Sequence, residues 1–312
     1  MPGDAPYRRE PRRVGFLAGV AIGLGAALIG LLPWIATGMR LPLQNLWAVE
    51  VRPEDMPVAL LPLSNYAVTL LAGLLILGWA VGGLAGRLLS DRRKGWATRG
   101  IAVGLLLAQG AAAAQSAVVL RDGLQEGGAA TLYLAALIAV VVVSVVLGAA
   151  VLALAARAAM PGATIAFAVG ALAAGIWLNS LIAPFGTIDF SVREPLLHLA
   201  RWVPAVLVGV AIAWCGFRTV GRVVGVVVSL LALWIGPASI TAVSAAAGSR
   251  VLLPYPAEML DYARGVFGMA VTMPELVVPP LAVALLVGVL GAVALRVRAA
   301  RRPSAAAPPA EA

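Results

Sequence analysis

This chain is poor in the residues that carry most enzyme chemistry. Only 12% of its 312 residues are charged, and it has one histidine (His198), one cysteine (Cys215) and one lysine (Lys94). A lone cysteine closes no intramolecular disulfide. A single His with a single Cys also offers no zinc-ligand spacing, so neither a metal site nor a cofactor is expected. No G-x-S-x-G, Walker A or H-E-x-x-H motif is present, which removes the serine-hydrolase elbow, the phosphate-binding loop and the zincin helix. Long polar stretches are missing too, so no ATPase, kinase or other soluble module is expected.

What fills the chain is apolar. Hydrophobic residues make up 62% of it and the mean hydropathy is +0.97, whereas soluble domains are about 25% charged. Runs this long and numerous fit no water-soluble core. The expected fold is all-α, a polytopic transmembrane helix bundle. Windows of about 20 apolar residues place spans at 14–39, 61–89, 100–120, 131–156, 164–183, 202–217, 222–246 and 276–295. The basic N-terminus (1–13) precedes a run too long for a signal-peptide core, so the first helix is expected to be retained. Residues 14–296 form the membrane domain, and the Pro/Ala-rich tail 297–312 reads as disordered.

Orientation comes from the positive charge. With the N-terminus cytoplasmic, 16 of the 23 basic residues lie on the inner side with four acids, and the outer side holds seven basic and ten acidic residues. Eight spans with both termini inside therefore satisfy the positive-inside rule. The net charge of +9 is a topology signal with some attraction to anionic membrane lipids, and nucleic acid is not an expected partner. The composition, rich in Arg, Ala, Gly and Val, suggests a bacterial protein of the cell inner (cytoplasmic) membrane.

Three outer connections are long: 40–60, 184–201 and 247–275. Pro256, Glu258 and Asp261 open an amphipathic helix carrying Met259, Leu260, Ala263, Val266 and Phe267. Ser191 with Glu194, and Thr272 with Glu275, have the spacing of helix-start signals. A second short interfacial helix is expected before Leu196, Leu197 and Leu199. Trp34, Trp47, Trp177 and Trp202 fall near the outer interface, where an aromatic belt is expected. Spans one and five each precede a long outer connection, which hints at a parallel repeat of four spans plus four. Gly15, Gly19 and Gly23, then Gly78, Gly82 and Gly86, form ladders that let helices approach closely.

Candidate site residues are few. No Asp, Glu, Lys, Arg or His lies in the middle of a span, and this argues against proton- or sodium-coupled transport. Neutral polar residues do reach membrane depth: Gln109 and Gln115 in span three, Ser144 in span four and Asn179 in span five. Bonding between helices is the plain alternative for each, worth about 0.6 kcal/mol on average. Pro237, with Ser239, Thr241 and Ser244 after it, marks a kink in span seven, and the hydroxyls are available for freed carbonyls. Pro279–Pro280 sits near the start of span eight, where proline is tolerated. Asp189, Arg193, Glu194 and His198 form the densest ionisable cluster.

The expected function is permease-like, moving or binding a small or amphipathic ligand from the outer side. The ligand would occupy a cavity lined by Asn179, Gln109 and Gln115. The alternative is a non-catalytic subunit or scaffold of an envelope or transport complex, with a protein partner on the outer face or a separate energising subunit. A third reading comes from Glu54–Asp55, which resembles the acidic pair in the first external loop of polyprenyl-phosphate-dependent membrane glycosyltransferases. That resemblance implies a membrane transferase that needs Asp55.

Overall fold

The computed structural model describes residues 15–89, 95–184, 191, 193–252 and 254–300. They form ten α-helices: α1 (Phe16–Ala36), α2 (Val68–Leu89), α3 (Trp96–Gly123), α4 (Gly128–Arg157), α5 (Met160–Ile182), α6 (Glu194–Ala200), α7 (Val203–Cys215), α8 (Val220–Gly248), α9 (Pro256–Thr272) and α10 (Pro274–Ala300). Among the described residues there is no strand, only two isolated bridges. Eight segments are long and apolar enough to cross a membrane. The chain is an all-α multi-pass membrane protein.

Two boundaries differ from the sequence reading, each for a physical reason. Span six looks short when α6 is taken as a separate interfacial helix. Arg201 and Trp202 in fact keep right-handed helical angles between α6 and α7, so Glu194–Cys215 is one 22-residue apolar segment. Span two starts late: residues 61–64 are not helical, Leu63 N–H closing a tight turn on the Leu61 carbonyl, and a short 3-10 turn (Asn65–Ala67), capped by the Ser64 side chain, leads into α2. Neither Ser191 nor Thr272 stands directly before its helix as the spacing suggests. Glu194 is the first residue of α6 behind Arg193, and Thr272 ends α9 with its hydroxyl turned back to the Gly268 carbonyl.

The bundle has two halves with one packing plan. In the first, α1 packs chiefly on α3 and α2 on α4; in the second, α5 packs on α8 and α7 on α10. Each pairing is parallel, as matching residues advance together along both helices. A side chain on Gly19 would run into the carbonyl oxygen of Ala97, and one on Gly23 into that of Ile101. Gly83 similarly meets Ala155 and Gly86 meets Ala156, while Gly209 meets Ala284 and Gly288 meets Ile212. Small residues let these backbones touch, which substitutes for the hydrophobic drive that lipid removes. The expected ladders are present except at Gly15, which faces open space.

The halves meet through α2 and α5, where Gly73 receives Ile176 and Gly170 receives Ala80. Arg87 closes this seam at the C-terminal end of α4. Its guanidinium donates to the Ala155 and Ala158 carbonyls at the end of α4 and lies 4.7 Å from the Trp214 ring centroid. A cation here satisfies orphan carbonyls and complements the helix dipole.

The first outer connection has no periodicity in sequence, yet it is well packed. Leu41, Met56, Ala59, Leu61 and Leu63 are all buried over the first half. Trp34 Nε1 donates to the Ala59 carbonyl at 2.9 Å, so this tryptophan is a packing anchor rather than part of a lipid-facing belt.

Replacing Gly23 with Val should destabilise the bundle by about 2 kcal/mol or more, because Ile101 offers backbone that cannot step aside. Gly25→Val, in open space on the same helix, should change stability little. Thermal unfolding of both variants in one detergent checks the contrast; equal midpoints would sink the ladder argument.

Candidate functional site

The three polar residues expected to share a cavity are separated by the fold. Gln109 is 1% exposed between α2 and α3. Its Oε1 accepts from Trp79 Nε1 at 2.8 Å and its Nε2 donates to the Leu75 carbonyl at 3.1 Å. Gln115 holds the first outer loop: Oε1 accepts the Leu60 amide at 2.9 Å and Nε2 donates to the Val58 carbonyl at 3.1 Å. Ser116 takes the next amide, Leu61, at 2.8 Å. These amides are occupied structurally, and no ligand surface includes them. Ser144 likewise bonds back to Val140 within its own helix.

Asn179 does line a cavity. It has a volume of about 400 Å3 and lies among α5, α7, α8 and α10, with Ala270 of α9 at its edge. That size is within the range of small-molecule sites. The walls are apolar: Leu172, Ile176, Ala205, Leu233, Ala238 and Ile240. Polar groups gather toward the outer end, namely Asn179, Arg201, Thr241 and Glu275. Arg201 lies over the Trp202 ring at 4.8 Å from its centroid, and Glu275 stands in the first turn of α10. Neither has an ion pair among the described residues. The site therefore offers a charged rim above an apolar body, and Pro237 is part of its wall.

Backbone carbonyls add a further feature. A proline inside a helix deprives the carbonyl four residues earlier of its donor. Four prolines lie inside individual helices, Pro33, Pro237, Pro279 and Pro280, and Pro204 falls within the sixth span at the start of α7. For Pro33 the freed carbonyl belongs to Ile29, and Trp177 Nε1 from α5 fills it at 2.9 Å. The other three line the cavity, as do the residues whose carbonyls they free: Leu233, Glu275 and Leu276. The Leu276 carbonyl is the extreme case. Pro279 and Pro280 occupy both positions from which a helical N–H reaches it. The hydroxyls near Pro237 do not compensate. Ser239 bonds the Ile235 carbonyl and Thr241 the Pro237 carbonyl, and α8 runs unbroken through the proline. A buried carbonyl left without a donor costs about 1–3 kcal/mol.

The remaining candidates stay apart from this cavity. Asp189 lies outside the described residues. Arg193 precedes α6, and His198 Nε2 sits 3.6 Å from Glu194 Oε1 on the exposed face of that helix. Glu54 and Asp55 are on an exposed 3-10 turn, each paired with Arg52 at 3.3 and 2.9 Å. A shallower basin of about 730 Å3 tops the first half, lined by the outer loop with Tyr66, Gln125 and Arg250. Sequence reasoning misses Arg201, Trp202, Glu275 and the proline pair as site residues. The signal that could have found them is the Leu-Val-Val-Pro-Pro run, which leaves the Leu276 carbonyl no donor in the α or the 3-10 register.

Gln115→Leu should leave two loop backbone groups unpaired and loosen residues 58–61 by about 1–3 kcal/mol. Hydrogen exchange should show faster exchange there and little change around Asn179; unchanged protection would refute the clamp. No protein-family model, no curated protein and no solved structure matches this chain.

Proposed function

We propose that this is a permease-like protein of the bacterial cytoplasmic membrane that takes an amphipathic molecule into the cavity of its second half. One observation carries the reading: a cavity with apolar walls in the membrane and a rim of Asn179, Arg201 and Glu275 at the end assigned to the outer side. An amphiphile matches such a gradient, its tail replacing lipid along the walls and its head engaging the rim. The lack of an intramembrane carboxylate among the spans favours binding or downhill movement over coupling to protons or sodium. Asn179→Leu combined with Arg201→Gln should weaken capture of co-purifying amphiphiles by about tenfold, the loss of one to two charged or polar contacts. Native mass spectrometry of the protein released gently from its membrane reads this. Binding that survives both substitutions, yet falls with Gln115→Leu, would sink it.

A second reading, a subunit of a larger envelope assembly, is favoured by α9. No residue of this helix is buried, and Leu260, Tyr262 and Met269 are exposed on it. If a protein covers that face, replacing Leu260 and Met269 with Ser should lose a stoichiometric partner from the purified complex. An unchanged subunit composition would rule that docking surface out.

A further inference from the structure

We infer that the head group recognised in this cavity is a primary ammonium, held by carbonyls that prolines have stripped of their helical donors. This rests on the amphiphile reading and names its chemistry.

Three residue pairs, Leu233 with Pro237, Glu275 with Pro279 and Leu276 with Pro280, line the cavity together. Each pair is four residues apart on its helix, so the members share one face, and the carbonyl of the first points along the axis toward the nitrogen of the second. That nitrogen carries no hydrogen. The cavity surface therefore holds acceptors with no helical donor of the usual kind, and Leu276 has lost the tighter i+3 alternative as well. The rest of the protein shows that such carbonyls are filled where packing permits: the one freed by Pro33 takes the Trp177 indole N–H. Two hydroxyls and one indole near the cavity are engaged elsewhere, which leaves the Asn179 amide and the Arg201 guanidinium among the side-chain donors of its lining. Trp234 Nε1 donates to the Val271 carbonyl, and Thr241 and Ser239 bond back within α8.

A site rich in backbone acceptors, with the Glu275 carboxylate beside it, favours a ligand that brings several N–H donors and a positive charge. A primary ammonium has three donors on one atom, so a single group can serve more than one carbonyl that lacks a helical donor. Arg201 in the same cavity opposes a bare cation but suits one carried beside a phosphate. Both features are met by a phospholipid with a primary amine in its head group. Its phosphate would face the guanidinium and its amine the freed carbonyls, with the acyl chains along α8 and α10.

The test compares head groups that differ in N–H donors. Full-length protein in detergent is titrated with phosphatidylethanolamine, phosphatidylcholine and phosphatidylglycerol of identical chains, with bound lipid counted by native mass spectrometry. The wild type should prefer the ethanolamine lipid over the choline lipid by about tenfold, since the trimethylated nitrogen keeps its charge but donates nothing. Pro279→Ala with Pro280→Ala restores N–H groups to the Glu275 and Leu276 carbonyls without endangering the helix, and should reduce the preference to about twofold or less. Glu275→Gln should reduce it separately. Dodecylamine distinguishes the source: competition as strong as that of the lipid points to a free amine, and weak competition points to the phospholipid.

Equal binding of the two lipids by the wild type, or a preference untouched by the proline replacements, would overturn the ammonium. If instead Thr241→Trp, which fills the cavity, left the binding of every lipid unchanged, the error would lie in the amphiphile site itself.

Discussion

Inside a bilayer every backbone N–H and C=O must find a partner within the protein, because the surrounding hydrocarbon offers none. Most of the structure obeys that constraint visibly. Helices satisfy it along their length. Where the chain leaves helical form over the first half, Gln115 and Ser116 supply bonds to residues 58–61. At the C-terminal end of α4, Arg87 takes the last carbonyls of that helix. Pro33 breaks the rule and Trp177 restores it from another helix. The cavity in the second half is conspicuous because the same breach occurs there three times with no such repair among the described residues.

The two halves show how one packing plan diverges. Both place alternate spans in parallel contact through small residues, as the hint of a four-plus-four repeat implies. The difference lies in the connection after the first span of each half. After α1, the chain folds inward and buries Leu41, Met56, Leu61 and Leu63 as a plug. After α5, the corresponding connection contributes α6 to the sixth span instead, and Arg201 and Trp202 border the cavity. Filling one half and leaving the other open gives a stable frame beside a cavity at membrane level.

Spans, their number and their close glycine contacts are legible in the sequence because they rest on local composition and on spacing within one helix. The role of Gln109 and Gln115 is not, since a mid-span amide reads identically whether its partner is a ligand, a tryptophan or a loop. Loop 37–64 hides its packing for a related reason: its buried residues are spaced irregularly and match no helical or strand period. Asn179 and Pro237 stand out in the sequence, yet the cavity they share depends on α7 and α10, which only tertiary packing brings beside them. Ser191 and Thr272 do not stand directly before their helices, because spacing alone does not say which residue starts a helix.

The absence of an ionisable group at mid-membrane now takes on a different sense. A titratable carboxylate deep in a span would couple a site to the proton gradient, but it would also hold water and charge where an acyl chain has to lie. Carbonyls freed by proline provide negative potential without titrating and without a net charge to desolvate. Glu275 and Arg201 remain at the rim, where water still screens them. Such an arrangement can hold a cationic head group at the outer end of the cavity while the walls below stay apolar. On the proposed reading, charge is recognised there at small desolvation cost, which suits a site that exchanges amphiphiles with a bilayer.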